Sequence, residues 1–184
     1  MLLIPIKKRR ATSDAARALY SRAVEQARNP IFYARFGVPD SLDGRFDMVT
    51  LHVYLILRRL RDEGKRAERL AQRLFDLMFD DMDMSLRELG VGDLGVGRRV
   101  KAMAKALYGR IGAYDAGLDG DDATLAAALA RNLYGTASAS PSELAALCRY
   151  VRREAHRLKS HTFEALSAGR IAFGTLDDLT GTEA

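Results

Sequence analysis

The stretch DDMDMSLRELGVGDLGVGRRVKAMAKALYGRIGAYDAGL, Asp80 to Leu118, constrains the fold of this chain more than any other. It opens acidic, with Asp80, Asp81 and Asp83, and crosses a turn punctuated by Gly90, Gly92, Gly95 and Gly97. It then carries no acid from Arg98 to Arg110. In this last part Val96, Val100, Met103, Leu107, Ile111, Tyr114 and Leu118 recur every three or four residues, which lines one face of an α-helix. A second stripe, Ala102, Ala106, Gly109, Ala113 and Ala116, is made of small residues. Glycine inside a helix costs about 1 kcal/mol relative to alanine. Gly109 and Gly112 in mid-helix therefore predict a close approach by another backbone.

The remaining segments also read as helices. Residues 1–11 are expected to form a loose basic arm, with Thr12 or Ser13 capping a helix that buries Ala16, Leu19, Tyr20, Ala23, Val24 and Ala27. Asn29-Pro30 starts a short helix, Ile31–Phe36, which stops at Gly37. A helix from about Arg45 to Asp62 is apolar nearly all round, so it is either central in the fold or open to a partner. A third long helix spans about Arg66 to Met82. Ser85 to Glu88 has capping-box spacing, but equally fits inside a continuing helix. Leu125, Leu129 and Leu133 mark a short Ala-rich helix. Ser140-Pro-Ser-Glu143 supplies a cap, a first-position proline and a capping-box glutamate for the last long helix, which carries Leu144 through Phe163 and frays near Gly169. No run alternates as strands do. The expected fold is an all-α, single-domain bundle of about six to seven helices over residues 12–173, with a mobile tail at 174–184.

With 184 residues and 48% hydrophobic content the chain has ample material for one core. A net charge of +5 suits an anionic partner, such as a membrane surface, ribosomal RNA or an acidic protein face, and equally suits ordinary solubility. The single cysteine, Cys148, excludes an internal disulfide and a cysteine-based zinc site. The longest apolar run, Met48–Leu57, is broken by Thr50 and His52, and a membrane span needs about 20 residues. In MLLIPIKKRR the apolar residues precede the basic ones, the reverse of a secretory signal. A cytoplasmic, unprocessed chain is expected.

Catalytic machinery is absent from the pattern. His156 and His161 are spaced by five, which turns them apart on a helix, and no phosphate loop, dinucleotide fingerprint or nucleophile elbow occurs. Asp76, Asp80 and Asp83 have a spacing that fits a magnesium-binding face, but nothing accompanies them that would act on a substrate; a solvated helix face is the simpler reading. Asp83, Arg87, Glu88 and Asp93 are expected to form a charge network that aims the following helix, with Arg110 as a further partner. Basic residues gather on two helices, Arg98, Arg99, Lys101 and Lys105 on one and Arg149, Arg152 and Arg153 on the other. If these faces converge they suit anionic headgroups or RNA phosphates. Aromatic interleaving is missing, so no sequence-specific nucleic-acid reading is expected. Tyr33, Phe36, Phe46, Phe75, Phe79 and Met82 either form plain core or line a pliable apolar groove.

The Asp80–Leu118 stretch resembles the core motif of the ubiquinol–cytochrome c reductase (cytochrome bc1) assembly chaperone family, and FYARFGVPDSLDGRFDMVTLHVYLILRRL, Phe32 to Leu60, is similar to the same family. The matching motif positions are Asp83, Arg87, Glu88, Gly90, Asp93, Tyr108, Gly109, Arg110 and Tyr114. Two positions depart from it: Leu107 stands where an aromatic is expected, and Met84 where a polar residue is expected. The resemblance implies a non-enzymatic factor, without cofactor or metal, that holds newly made cytochrome b or another bc1 subunit. The basic faces would keep it near the anionic inner membrane. Mitochondrial relatives work with a small partner protein and the ribosome exit; both stay open for this chain. The short basic N-terminus points to a bacterial-type member. The alternative is a helical-bundle carrier for a lipid, quinone or haem, with His52 as the axial-ligand candidate.

Overall fold

α3, Leu42–Arg61, is the axis of the fold because its sequence leaves almost no polar stripe. Met48, Leu51, Val53, Tyr54, Leu55, Ile56 and Leu60 are all fully buried along it. Ser41 sets its start, its Oγ accepting the Gly44 N–H at 3.1 Å. A Cβ on Gly44 would stand 2.0 Å from the Pro39 carbonyl oxygen, so only glycine lets the chain fold back this closely. The computed structural model describes residues 6–135 and 137–176, and every regular element among them is helical.

α1 (Ile6–Ala27) packs on both α3 and α4 (Glu68–Glu88). α5 (Asp93–Asp119) lies against α4 and α6 (Asp122–Leu129), and α7 (Pro141–Lys159) joins α6 to α3. α2 (Ile31–Ala34) and α8 (Phe163–Ser167) are little more than single turns, and a π-type turn, Ala130–Tyr134, follows α6. Among the described residues this is the expected all-α single-domain bundle. Its core takes Leu19, Phe32, Leu74, Met78, Leu129, Leu147, Tyr150 and Leu158 out of water entirely. Each such side chain contributes about 1.5–3 kcal/mol. The capping box of α7 forms as read: Ser140 Oγ accepts the Glu143 N–H at 3.2 Å, and Glu143 returns a carboxylate oxygen to the Ser140 N–H at 2.7 Å.

Several boundaries differ from expectation. α1 begins at Ile6, inside the supposed arm, because Lys7 to Arg10 are good helix formers and nothing there stops a helix; residues 1–5 lie outside the described residues. Ser85 to Glu88 belong to α4, which runs six residues past Met82 to Glu88, with Gly90 just beyond it in the left-handed region (φ 78°). α5 starts at Asp93 with Gly92 as its cap, so Gly95 and Gly97 lie inside the helix and not in the turn. α7 stops at Lys159; Phe163 opens the separate α8, where Thr162 Oγ1 accepts the Ala165 N–H at 3.2 Å. The tail expected to be mobile from Gly174 is packed through Leu176, which is buried; residues 177–184 lie outside the described residues.

The small-residue contact at Gly109 and Gly112 does not exist: a Cβ on either would meet nothing within 4 Å. The close approach lies further along α5, at Gly117. A Cβ on Gly117 would stand 2.6 Å from Leu125 Cα, where α5 and α6 cross.

Candidate functional site

α4 and α5 leave a groove between them. Their apolar stripes meet only in part, so α4 contributes half-buried Phe75 and Phe79, with ring centroids 4.7 Å apart. α5 contributes Val100, Ala104, Ile111 and Tyr108, and Tyr108 is 67% exposed. Two depressions adjoin at Phe75. One, of about 520 Å³, is lined by Phe75, Phe79, Asp76, Asp80, Asp83, Arg73, Gly97, Val100, Lys101 and Ala104. The other, of about 570 Å³, runs past Tyr108 and Ile111 to Leu57, Ala71 and the 64–67 turn. The Phe75 and Tyr108 rings, 6.2 Å apart, stand where they join. The result is an apolar trough with acids along the α4 rim and Lys101 on the α5 rim.

Of the six aromatic and methionine candidates only Phe75 and Phe79 line this trough. Phe36 and Met82 are core, at 2% and 5% exposure. Phe46 is half-buried against the core. Tyr33 lines a separate depression with Arg28, Asp40 and Arg45, and its hydroxyl donates to the Ala27 carbonyl at 2.7 Å. The candidates are therefore divided between the two readings: Phe36, in the bend after α2, and Met82, on α4, turn inward as plain core, and only Phe75 and Phe79 line a groove.

The charge network also divides. Arg87 donates to Asp83 at 2.6 Å and to Asp93, pinning the end of α4 to the start of α5 across Gly90. These groups are exposed and screened by solvent, so the bridge orients the two helix ends more than it stabilises them. Glu88 is exposed and outside the network. Arg110 does not join it; its guanidinium reaches Asp47 of α3, with side-chain exposures of 21% and 15%. Burial raises the Asp47 carboxyl pKa despite that partner.

Next to this pair Tyr54, Arg58 and Arg61 converge on Asp115 of α5. Tyr54 donates at 2.7 Å, Arg61 donates at 2.7 Å, and Arg58 donates to Asp115 and, at 2.5 Å, to Asp119. Burial would raise the Asp115 carboxyl pKa, but the hydrogen bonds from Arg61, Tyr54 and Arg58 win and hold it at about 2. Tyr114 is fully buried, its ring 5.2 Å from Tyr54, with no partner for its hydroxyl among the described residues. This α3–α5 clamp fixes the back of α5 and hence the trough. Sequence reasoning missed Asp47, Tyr54 and Asp115. The available signal was the stripe Asp47, Tyr54, Arg58, Arg61, which repeats at helical spacing on α3.

The basic faces have different fates. Arg98, Arg99, Lys101 and Lys105 are exposed on α5 and pair with no acid among the described residues. Arg149 is exposed on α7. Arg152 is used inside the fold: it donates to the Gly117, Leu118 and Gly120 carbonyls at the end of α5 and to Asp122 at 2.5 Å. Arg153 holds Glu154 and the Thr175 carbonyl. α7 thus offers no free basic face to match that of α5.

His52 is fully buried. Its Nδ1–H donates to the Met48 carbonyl at 2.7 Å, and its Nε2 accepts from the Tyr150 hydroxyl at 2.7 Å. Both ring nitrogens are occupied, so axial ligation of a haem would have to break this pairing. Among the described residues no three His, Cys, Asp or Glu side chains gather as a metal group, and no helix is long and apolar enough to cross a membrane. Cys148 is buried, which pushes its thiol pKa up to about 11.

The comparisons with known proteins agree on one family. The family model described as "Ubiquinol-cytochrome C chaperone" matches residues 34–173. Ubiquinol-cytochrome-c reductase complex assembly factor 1 of Xenopus laevis is 30% identical over 140 residues, 76% of this chain and 70% of that protein. The Mus musculus counterpart is 30% identical over 152 residues, 83% of this chain, but the match spans only 52% of its own length. The crystal structure of the Cbp3 homolog from Brucella abortus superposes with a TM-score of 0.83 at 41% identity, covering 93% of this chain and 94% of that one. The chain belongs to the ubiquinol–cytochrome c chaperone family.

Proposed function

We propose that this chain is an assembly chaperone of the cytochrome bc1 complex, acting by binding and without catalysis, and that its client is newly made cytochrome b. The family match over residues 34–173 carries the reading. Relatives named as complex assembly factors support it at 30% identity. In this mechanism the α4–α5 trough shields an apolar client segment from water, with Phe75, Phe79 and Tyr108 as contacts. The unpaired cations of α5, Arg98, Arg99, Lys101 and Lys105, hold the protein peripherally against the anionic cytoplasmic face of the inner membrane. No cofactor takes part.

Deleting the gene tests this directly. The assembled bc1 complex falls while the cytochrome b transcript stays normal, and re-expression restores it. A deletion strain with undiminished complex would overturn the assignment.

A further inference from the structure

After α8 the chain turns at Gly169 (φ 71°) and runs without helix through residues 170–176. Ile171, Gly174 and Leu176 are buried, Phe173 is half-buried, and Ala172 and Thr175 face solvent. From Ala172 onward the strap is held by side chains of the helical body. The Ala172 N–H donates to His161 Nε2 at 3.2 Å, and the Gly174 N–H donates to Glu154 Oε2 at 2.8 Å. Gln26 Nε2 donates to the Gly174 carbonyl at 3.1 Å, and Arg153 Nη2 donates to the Thr175 carbonyl at 2.5 Å. These four contacts all address main-chain atoms. The Phe173 ring stands edge-on to His52 with centroids 5.1 Å apart.

Gripping a backbone while apolar pockets take alternate side chains is how proteins bind extended peptides. Glu154 is wholly buried, with Arg153 at 2.8 Å and Arg157 at 3.6 Å, and its second carboxylate oxygen is directed at a strap N–H. A Cβ at position 174 would stand 2.8 Å from Glu154 and 3.0 Å from the guanidinium nitrogens of Arg153 and Arg157, so a larger residue must displace these paired side-chain ends.

We infer that the cleft between α1, α3 and α7 is a peptide-binding site that the chain's own residues 170–176 hold shut, and that it accepts in trans an extended segment of the same chemistry. That segment is aliphatic, aromatic, glycine, aliphatic, in the order of Ile171, Phe173, Gly174 and Leu176. The seated strap is an autoinhibitory contact: an outside segment binds with its intrinsic dissociation constant divided by the open fraction, and so more weakly than to the open cleft. This site is separate from the α4–α5 trough and stands or falls independently of the client proposed above.

The test uses the full chain and a fluorescent heptapeptide, Arg-Ile-Ala-Phe-Gly-Thr-Leu. Gly174→Val evicts the strap, so the probe should bind this variant at least about tenfold more tightly than the wild type. A probe with Val in place of its Gly should not bind. Hydrogen exchange should show residues 171–176 protected in the wild type and released in the variant, with α3 and α7 unchanged. Fast exchange of the wild-type strap would overturn the inference, as would a folded, strap-released variant that binds the probe no better. If Gly174→Val does not fold, Phe173→Ala with Leu176→Ala weakens the hold of the strap and leaves every residue of the seat in place; an unchanged probe affinity there overturns the inference equally.

Discussion

Lowering the pH from 7 to 5 should destabilise this fold through one residue, His52. The ring is fully enclosed, and burial pulls its pKa from 6.5 down to about 4, against the opposing hydrogen bond to Met48. Since Nδ1–H already donates to the Met48 carbonyl, the proton gained at low pH must go to Nε2. There it meets the Tyr150 hydroxyl, which now donates to that nitrogen and accepts from Gln26. Protonation would force Tyr150 to turn its hydrogen away into the core. Between the folded and unfolded values the unfolded chain binds the proton and the native chain does not. The stability is therefore complete above about pH 6.5 and lost progressively as pH falls toward 4. The native state should lose about 2 kcal/mol between pH 7 and pH 5 from this group. Urea unfolding followed by circular dichroism at both pH values measures it, with His52→Gln as reference. That variant is less stable at pH 7 but lacks this slope. If wild type and variant lose the same stability within about 0.5 kcal/mol, His52 is not the buried neutral group described here.

Other consequences are as direct. Arg110→Ala leaves the Asp47 carboxylate in a largely buried site without its partner, and should lower stability by about 2–3 kcal/mol in the same assay. Gly109→Ala should raise stability by about 0.5–1 kcal/mol, because the position is open and helical; a loss would mean that something packs there after all. Gly117→Ala should cost about 1–3 kcal/mol, since its Cβ falls on Leu125, and a neutral result would refute the α5–α6 crossing. Leu74→Ala, at 0% exposure, should cost about 2–5 kcal/mol.

Local signals carried far in this chain. The Ser140–Glu143 cap, the all-round apolar α3 and the periodic face of α5 are written in residues close together, and the structure has each of them. Cost arguments carried less far. Gly109 and Gly112 look expensive in a helix, but nothing local reveals which turn of α5 another element crosses. Arg152 and Arg153 look like surface cations until the end of α5 and the strap are brought beside them. The strap itself has no periodicity to read. Its anchors, Gln26 and Glu154, lie 148 and 20 residues away from Gly174. Among the site candidates, Phe75 and Phe79 were legible as apolar, but their half-burial depends on how α5 settles on α4. The Asp47–Arg110 pair spans 63 residues and two helices, so the sequence suggested a nearer partner for Arg110.

A photo-crosslinking residue at Phe79, in cells that are making the bc1 complex, tests the central claim most directly. The same probe at exposed Leu42 serves as control. The account predicts that the Phe79 probe captures cytochrome b and the Leu42 probe does not. A Phe79 probe that yields only the products seen from Leu42 would contradict it.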